Sequence, residues 1–147
     1  AVDRLGLKRI SPRQAGIALL AVVGGFVVMG IGGALTQWLQ PDFNNQIAQT
    51  TDEITRNVDN LAGAAFFGLG AGASEEILLR GALQPRYGIW VTSLLFALLH
   101  SQYGISYVLL GVFLMGVILG LLRHRINTTA AILTHAVFNT IVVLIGS

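Results

Sequence analysis

The sequence predicts an all-α fold: a polytopic transmembrane helical bundle of about five spans, with a cytoplasmic N-terminus. Three observations carry this. Of 147 residues, 54% are hydrophobic and only 11% charged, with a mean hydropathy of +0.71, whereas a soluble domain carries about 25% charged residues. Gln14 to Gln40 holds no charge at all, and at about 1.5 Å per residue it is long enough to cross a hydrocarbon core of about 30 Å. Four more apolar segments follow, with the charges gathered between them.

Residues 1–13 carry Arg4, Lys8, Arg9 and Arg13 and read as a basic leader beside the membrane. Residues 14–40 form the first span. It is too long for a signal-peptide core and no convincing small-residue cleavage site follows. Its glycines, Gly24, Gly25, Gly30, Gly32 and Gly33, are expected at close helix contacts. Residues 41–60 are polar, with Asp42, Asp52, Glu53, Arg56 and Asp59, and read as an aqueous loop with a short helix opening at Thr51-Asp52. Residues 61–147 form a core of four helices: Leu61–Leu79, Tyr87–His100, Tyr103–Leu122 and Asn127 onward. Gly116 and Gly120 make a small-residue packing pair in the third of these. The whole is expected to be one membrane domain.

Loop charge sets the orientation. With the N-terminus inside, only Arg56 of the nine basic residues falls outside, as the positive-inside rule requires. One span more or fewer would break that asymmetry. The net charge of +2 is small and clustered at helix ends, which argues against nucleic-acid binding. The absence of cysteine removes disulfides, thiolate metal sites and a cysteine nucleophile together.

Within the apolar segments the polar residues form three islands. Ser74-Glu75-Glu76-Ile77-Leu78-Leu79-Arg80 sets two carboxylates and a guanidinium at the end of an apolar run. Glu76 and Arg80, four apart, share a helix face in the favourable order, while Glu75 is rotated about 100° away and faces something else. The other islands are Phe96…His100 and His135…Asn139, each also spaced by four. An ionisable group at membrane depth costs roughly 2.5–3.5 kcal/mol on insertion scales, so each implies a partner or a task. Counting along the helices puts Glu75 roughly 8 Å, His135 roughly 12 Å and His100 roughly 16 Å from their inner ends, Asn139 one turn deeper than His135. The four are expected to converge in the cytoplasmic half.

That constellation suits peptide-bond hydrolysis. A desolvated glutamate acts as general base on a water, and a histidine orients the water or passes the proton to the leaving amine. A second histidine and an asparagine stabilise the developing oxyanion. Each piece has a plainer reading: Glu76–Arg80 as a structural ion pair, a lone histidine or Phe96 as packing, Asn139 as interhelical glue. Their joint occurrence favours chemistry. A serine nucleophile at Ser74 has nothing else in the sequence to support it.

At these residues the chain resembles the CPBP family of intramembrane proteases, also called the abortive-infection family, which includes the type II CAAX prenyl endopeptidases. The family's motifs EExxxR, FxxxH and HxxxN occur in order as Glu75-Glu76…Arg80, Phe96…His100 and His135…Asn139. The resemblance covers about residues 61–147. It implies a glutamate-dependent endopeptidase with Glu75 as base, His100 activating water, His135 and Asn139 as oxyanion hole, and Glu76 and Arg80 holding the site together. The substrate would be a membrane-associated peptide or protein, prenylated or leader-bearing. Metal-independent catalysis is the expectation, and the alternative is zinc on Glu75, His100 and His135, although HExxH is missing. Larger relatives have more spans ahead of the motifs, so a complete chain of this length would take its remaining cavity walls from a partner or lack them. The location implied is a multi-pass protein of the membrane, the plasma membrane in a bacterium, with the site opening toward the cytoplasm. The rival function is a non-catalytic scaffold, immunity or assembly subunit of a membrane complex that keeps the protease fold.

Overall fold

The computed structural model describes residues 2–56, 58 and 60–146. Asp59, assigned above to the polar loop, lies outside them. The described residues form helices and no strand: α1 Pro12–Leu39, α2 Pro41–Thr55, α3 Leu61–Glu76, α4 Gln84–Leu99, α5 Tyr107–Arg125 and α6 Thr128–Gly146. A π-helical segment, Ile77–Leu83, joins α3 to α4, and a 3₁₀ turn, Ser101–Tyr103, follows α4. Helices α1, α5 and α6 are each long and apolar enough to cross a membrane. Helices α3 and α4 have 16 residues each, about 24 Å apiece, and the π segment prolongs α3 to the length of a bilayer core.

Local sequence sets the boundaries. Ser11 caps α1 by accepting from the Gln14 N–H, the Gln14 side chain answers to the Ser11 N–H, and Pro12 takes the first turn, the full capping box. The π segment runs up to Pro85, which has no N–H to close a regular turn. Gly88 then leaves helical geometry at φ 78°, a left-handed conformation that glycine adopts freely. The predicted third span is therefore a helix resuming at Ile89 and stopping at Leu99, which leaves His100 inside the bundle. The predicted fourth span starts four residues late, at Tyr107, where Ser106 accepts from the Leu109 N–H.

The stretch read as an aqueous loop is mostly helix. α2 begins at Pro41 with Asp42 in its first turn, not at Thr51. Phe43, Ile47 and Ile54 give it an apolar side against a polar one, and that side meets α1, α6 and the 3₁₀ turn. The leader is also tied down. Its Gly6 carbonyl accepts from the Thr128 N–H at 3.0 Å, and Thr129 Oγ1 accepts from the Lys8 N–H at 3.1 Å. Residues 5–8 thus sit on the junction of α5 and α6.

Glycines bring the helices together. On α3, a Cβ at Gly68 would lie 2.6 Å from the Ala136 carbonyl oxygen, and one at Gly72 2.9 Å from the Ala136 nitrogen. α3 and α6 are in backbone contact there. Gly116 and Gly120 pack against Ser93 and Ile89 of α4, as expected. On α1, Gly25 and Gly32 are filled by Met115 and the Tyr107 backbone, whereas Gly30 and Gly33 face open space.

Gly72→Leu forces α3 off α6 and is expected to cost about 1–3 kcal/mol through overpacking. Gly70→Leu, whose Cβ meets nothing within 4 Å, is its control. Thermal denaturation in detergent should separate the two; equal melting temperatures would refute the α3–α6 contact.

Candidate active site

The site is built on a buried charge pair. Glu76 and Arg80 are both completely buried, with Arg80 Nε 3.3 Å from Glu76 Oε2. That approach brings the charges together without hydrogen-bond alignment. Arg80 instead donates from Nη2 to the Gly116 carbonyl at 2.9 Å and from Nη1 to Thr92 at 3.4 Å, with its guanidinium 5.2 Å from the centre of the Phe96 ring. The glycine at 116 exposes the carbonyl and admits the α4 backbone at once. One arginine therefore holds α3, α4 and α5 in register, as a planar donor fork allows.

The other oxygen of Glu76 reaches across to α6. His135 Nδ1 lies 3.1 Å from Glu76 Oε1, and a carboxylate paired with arginine accepts, so Nδ1 carries the proton. The free nitrogen of His135 is Nε2. Phe96 packs edge-on to His135, with ring centres 5.4 Å apart, and tilts against His100 at 4.7 Å. His100 lies at the C-cap of α4, and its Nδ1 is 2.8 Å from the Phe96 carbonyl. A carbonyl can only accept, so this histidine too carries a proton on Nδ1.

Two cavities meet at these residues. One, of about 190 Å³, is lined by Glu75, His100, Tyr103 and Asn139 together with Thr51, Ile54 and Thr55 of α2. The other, of about 220 Å³, is lined by His100, His135 and Asn139 along with apolar residues of α1, α5 and α6. His100, Tyr103, Asn139 and Val142 belong to both walls. All four candidate catalytic residues thus converge, and Phe96, Glu76 and Arg80 stand behind them. Glu75 Oε2 is buried and has no hydrogen-bond partner among the described residues. A buried carboxylate oxygen without a protein partner is an acceptor held ready for water or substrate.

Among the described residues no three His, Cys, Asp or Glu side chains stand close enough to share a metal ion. The end of the bundle at which the cavities lie differs from the sequence reading. Both cavities lie in the half of the bundle closed by α2 and the 3₁₀ turn, whereas the leader binds the opposite end at Thr128 and Thr129. Leader and site mouth on the same side, as the sequence reading has it, are not what the fold provides.

Sequence reasoning missed the walls. Tyr103, stacked on His100 with ring centres 6.1 Å apart, lies in the 3₁₀ turn, where the sequence reading starts the fourth span. The signal was local: Ser101-Gln102-Tyr103-Gly104 interrupts the apolar run, and Gly104 has φ 61°. The contributions of α1 and α2 carry no motif and depend on tertiary packing.

Arg80→Ala strands Glu76 in the core, where breaking a buried pair costs about 3–5 kcal/mol. Arg80→Lys keeps the charge and loses the fork, so its melting temperature should fall between those of Arg80→Ala and the unaltered protein. Unchanged stability in Arg80→Ala would remove the structural role given to this residue.

No curated protein and no solved structure matches the chain. The sequence pattern of the Rce1-like type II CAAX prenyl endopeptidases matches residues 57–141, more than half of the chain and the whole of the three motifs. The three apolar helices fit an integral membrane protein acting in lipid surroundings. With Glu75-Glu76…Arg80, Phe96…His100 and His135…Asn139 brought together inside the matched region, the chain belongs to the Rce1-like type II CAAX prenyl endopeptidase family.

Proposed function

We propose that the chain is an intramembrane endopeptidase in which Glu75 acts as general base on a water. The observation that carries this is the partnerless, buried Oε2 of Glu75 on a cavity shared with His100 and Asn139. In this reading the water sits between two acceptors, the Glu75 carboxylate and His100 Nε2. Glu75 takes one of its protons as the oxygen attacks the scissile carbonyl, and the proton is then delivered to the leaving amine. Asn139 and His135 Nε2 donate to the oxygen that gains charge. For His135 to donate there it carries both ring protons, and the Glu76 carboxylate at Nδ1 faces that positive charge. No step is routed through a metal. The substrate is a membrane-associated peptide or protein.

The same reading includes an orientation. Arg4, Lys8, Arg9, Arg13, Arg86, Arg123 and Arg125 belong to the end of the bundle where the leader docks, which the positive-inside rule assigns to the cytoplasm. The site then opens on the other side, beside α2.

Glu75→Gln keeps the side-chain volume and removes the base. It is expected to abolish cleavage while leaving the melting temperature within about 0.5 kcal/mol equivalent of the unaltered protein. The measurement compares peptide termini in native membranes carrying either form. Termini that disappear with Glu75→Gln establish proteolysis and name the substrate; identical termini at equal protein levels reject it and favour the scaffold function.

Orientation is checked by single-cysteine labelling, since the chain has no cysteine of its own. A membrane-impermeant maleimide should modify Gln46→Cys in intact cells and Arg9→Cys only after lysis. The reverse pattern would overturn the orientation.

A further inference from the structure

The leader end of the bundle carries cations that nothing in the fold neutralises. Arg4, Lys8 and Arg9 of the leader and Arg125 of α5 are exposed, and Arg123 is half-buried. Among the described residues none of them pairs with a carboxylate, and Asp3, the one acid at this end, is exposed and unpaired. We propose that the docked leader and the end of α5 form a binding site for the headgroup phosphate of an anionic phospholipid, with Arg123 at its centre. The proposal is independent of the endopeptidase reading.

The leader is fixed, so its charges have a set place. The Leu5 and Gly6 carbonyls accept from the Thr128 hydroxyl and N–H, and the Lys8 N–H donates to Thr129 Oγ1. These bonds use only the leader's backbone and leave the side chains of Arg4, Lys8 and Arg9 free. Gly6, at φ 69°, lays the leader against Arg123: a Cβ there would stand 3.0 Å from both Cζ and Nε of the guanidinium. Arg123 in turn spends Nε on the Arg80 carbonyl at 3.1 Å. No hydrogen bond to a described residue uses its two Nη groups. A guanidinium pinned at Nε and open at Nη presents the planar donors that suit a phosphate.

Depth makes the phosphate a lipid's. Tyr87 and Trp90 of α4 are 52% and 69% exposed, and the Arg86 guanidinium lies 5.9 Å from the centre of the Tyr87 ring. Exposed tyrosine and tryptophan gather where a bilayer meets water. Trp90 follows Ile89, which packs on Gly120 one turn before Arg123. The unpaired cations therefore stand at headgroup level, where each basic residue strengthens attraction to an anionic surface about fivefold. A headgroup on Arg123 is one hydrogen bond from the backbone of Arg80.

The two tryptophans of the chain report on the two ends separately, since Trp38 closes α1 at the far end and is also exposed. Trp38→Phe leaves Trp90 as the only reporter, and Trp90→Phe leaves Trp38. Each form is reconstituted in vesicles of phosphatidylcholine and phosphatidylglycerol, with one lipid or the other brominated, and the quenching ratio gives the local preference. Trp90 should favour phosphatidylglycerol by at least about fivefold, and Trp38 should show a ratio near one. Lys8→Gln with Arg9→Gln, which touches only exposed side chains, should lower the Trp90 ratio several-fold, and Arg123→Gln should bring it near one; circular dichroism confirms that both variants fold. A Trp90 ratio near one in the unaltered background overturns the site and leaves the cationic face open to a soluble acidic partner. Equal preference at Trp90 and Trp38 reduces the effect to general attraction by a cationic protein and also overturns it. So does a Trp90 preference that both variants keep.

Discussion

Everything around the site depends on the carboxylate of Glu76. It is fully buried, and its two oxygens face a guanidinium on its own helix segment and an imidazole from α6. Desolvating a carboxylate costs several kcal/mol even after relaxation, so the packing that buries Glu76 is tolerable only while both neighbours are in place. Arg80 in turn is fixed by carbonyls of α4 and α5 and by the face of Phe96. The charge network therefore ties α3, α4, α5 and α6 to a single point. Glu75, one residue earlier, gets its position from this anchor and spends no hydrogen bond of its own on it. Adjacent acids thus differ: Glu76 is committed to structure, and Glu75 keeps a buried oxygen, Oε2, with no hydrogen-bond partner among the described residues.

The histidines divide in a similar way. Each carries its proton on Nδ1 and donates it to the acceptor it meets, the Glu76 carboxylate for His135 and the Phe96 carbonyl for His100. A carboxylate supports added positive charge on the ring; a neutral carbonyl gives no such support. In the proposed reaction this contrast assigns donation at Nε2 to His135 and acceptance there to His100. The motif spacing of four residues explains both geometries, because it lets Phe96 serve as the acceptor for His100 and as the packing face for His135 and Arg80.

Much of this was legible in the sequence because it is periodic. Four-residue spacing on a helix fixes which groups share a face, so the Glu76–Arg80 pair and the separate direction of Glu75 followed from Glu75-Glu76…Arg80 alone. The glycine pair at 116 and 120 was legible for the same reason. What was not legible depends on contacts between distant segments. The polar composition of residues 41–60 suggested water-exposed loop, and nothing local shows that the Phe43 side of α2 would find α6 and the 3₁₀ turn. The shortened α4 hides in the same way: Pro85 and Gly88 are visible, but that they would end a helical stretch inside an apolar run is decided by the packing of Ile89 and Ser93 on Gly120 and Gly116.

The contact between His135 and Glu76 links residues 59 positions apart, and the leader is held by Thr128 and Thr129 of the same final helix. During synthesis the N-terminal helices emerge first and fold as they appear. Glu76 and Arg80 are then in the membrane with their carboxylate half satisfied, His135 and Asn139 still unmade. A ribosome-bound chain consequently has neither His135 and Asn139 in place nor a closed α3–α6 contact. In the proposed endopeptidase the site is therefore incomplete until α6 inserts.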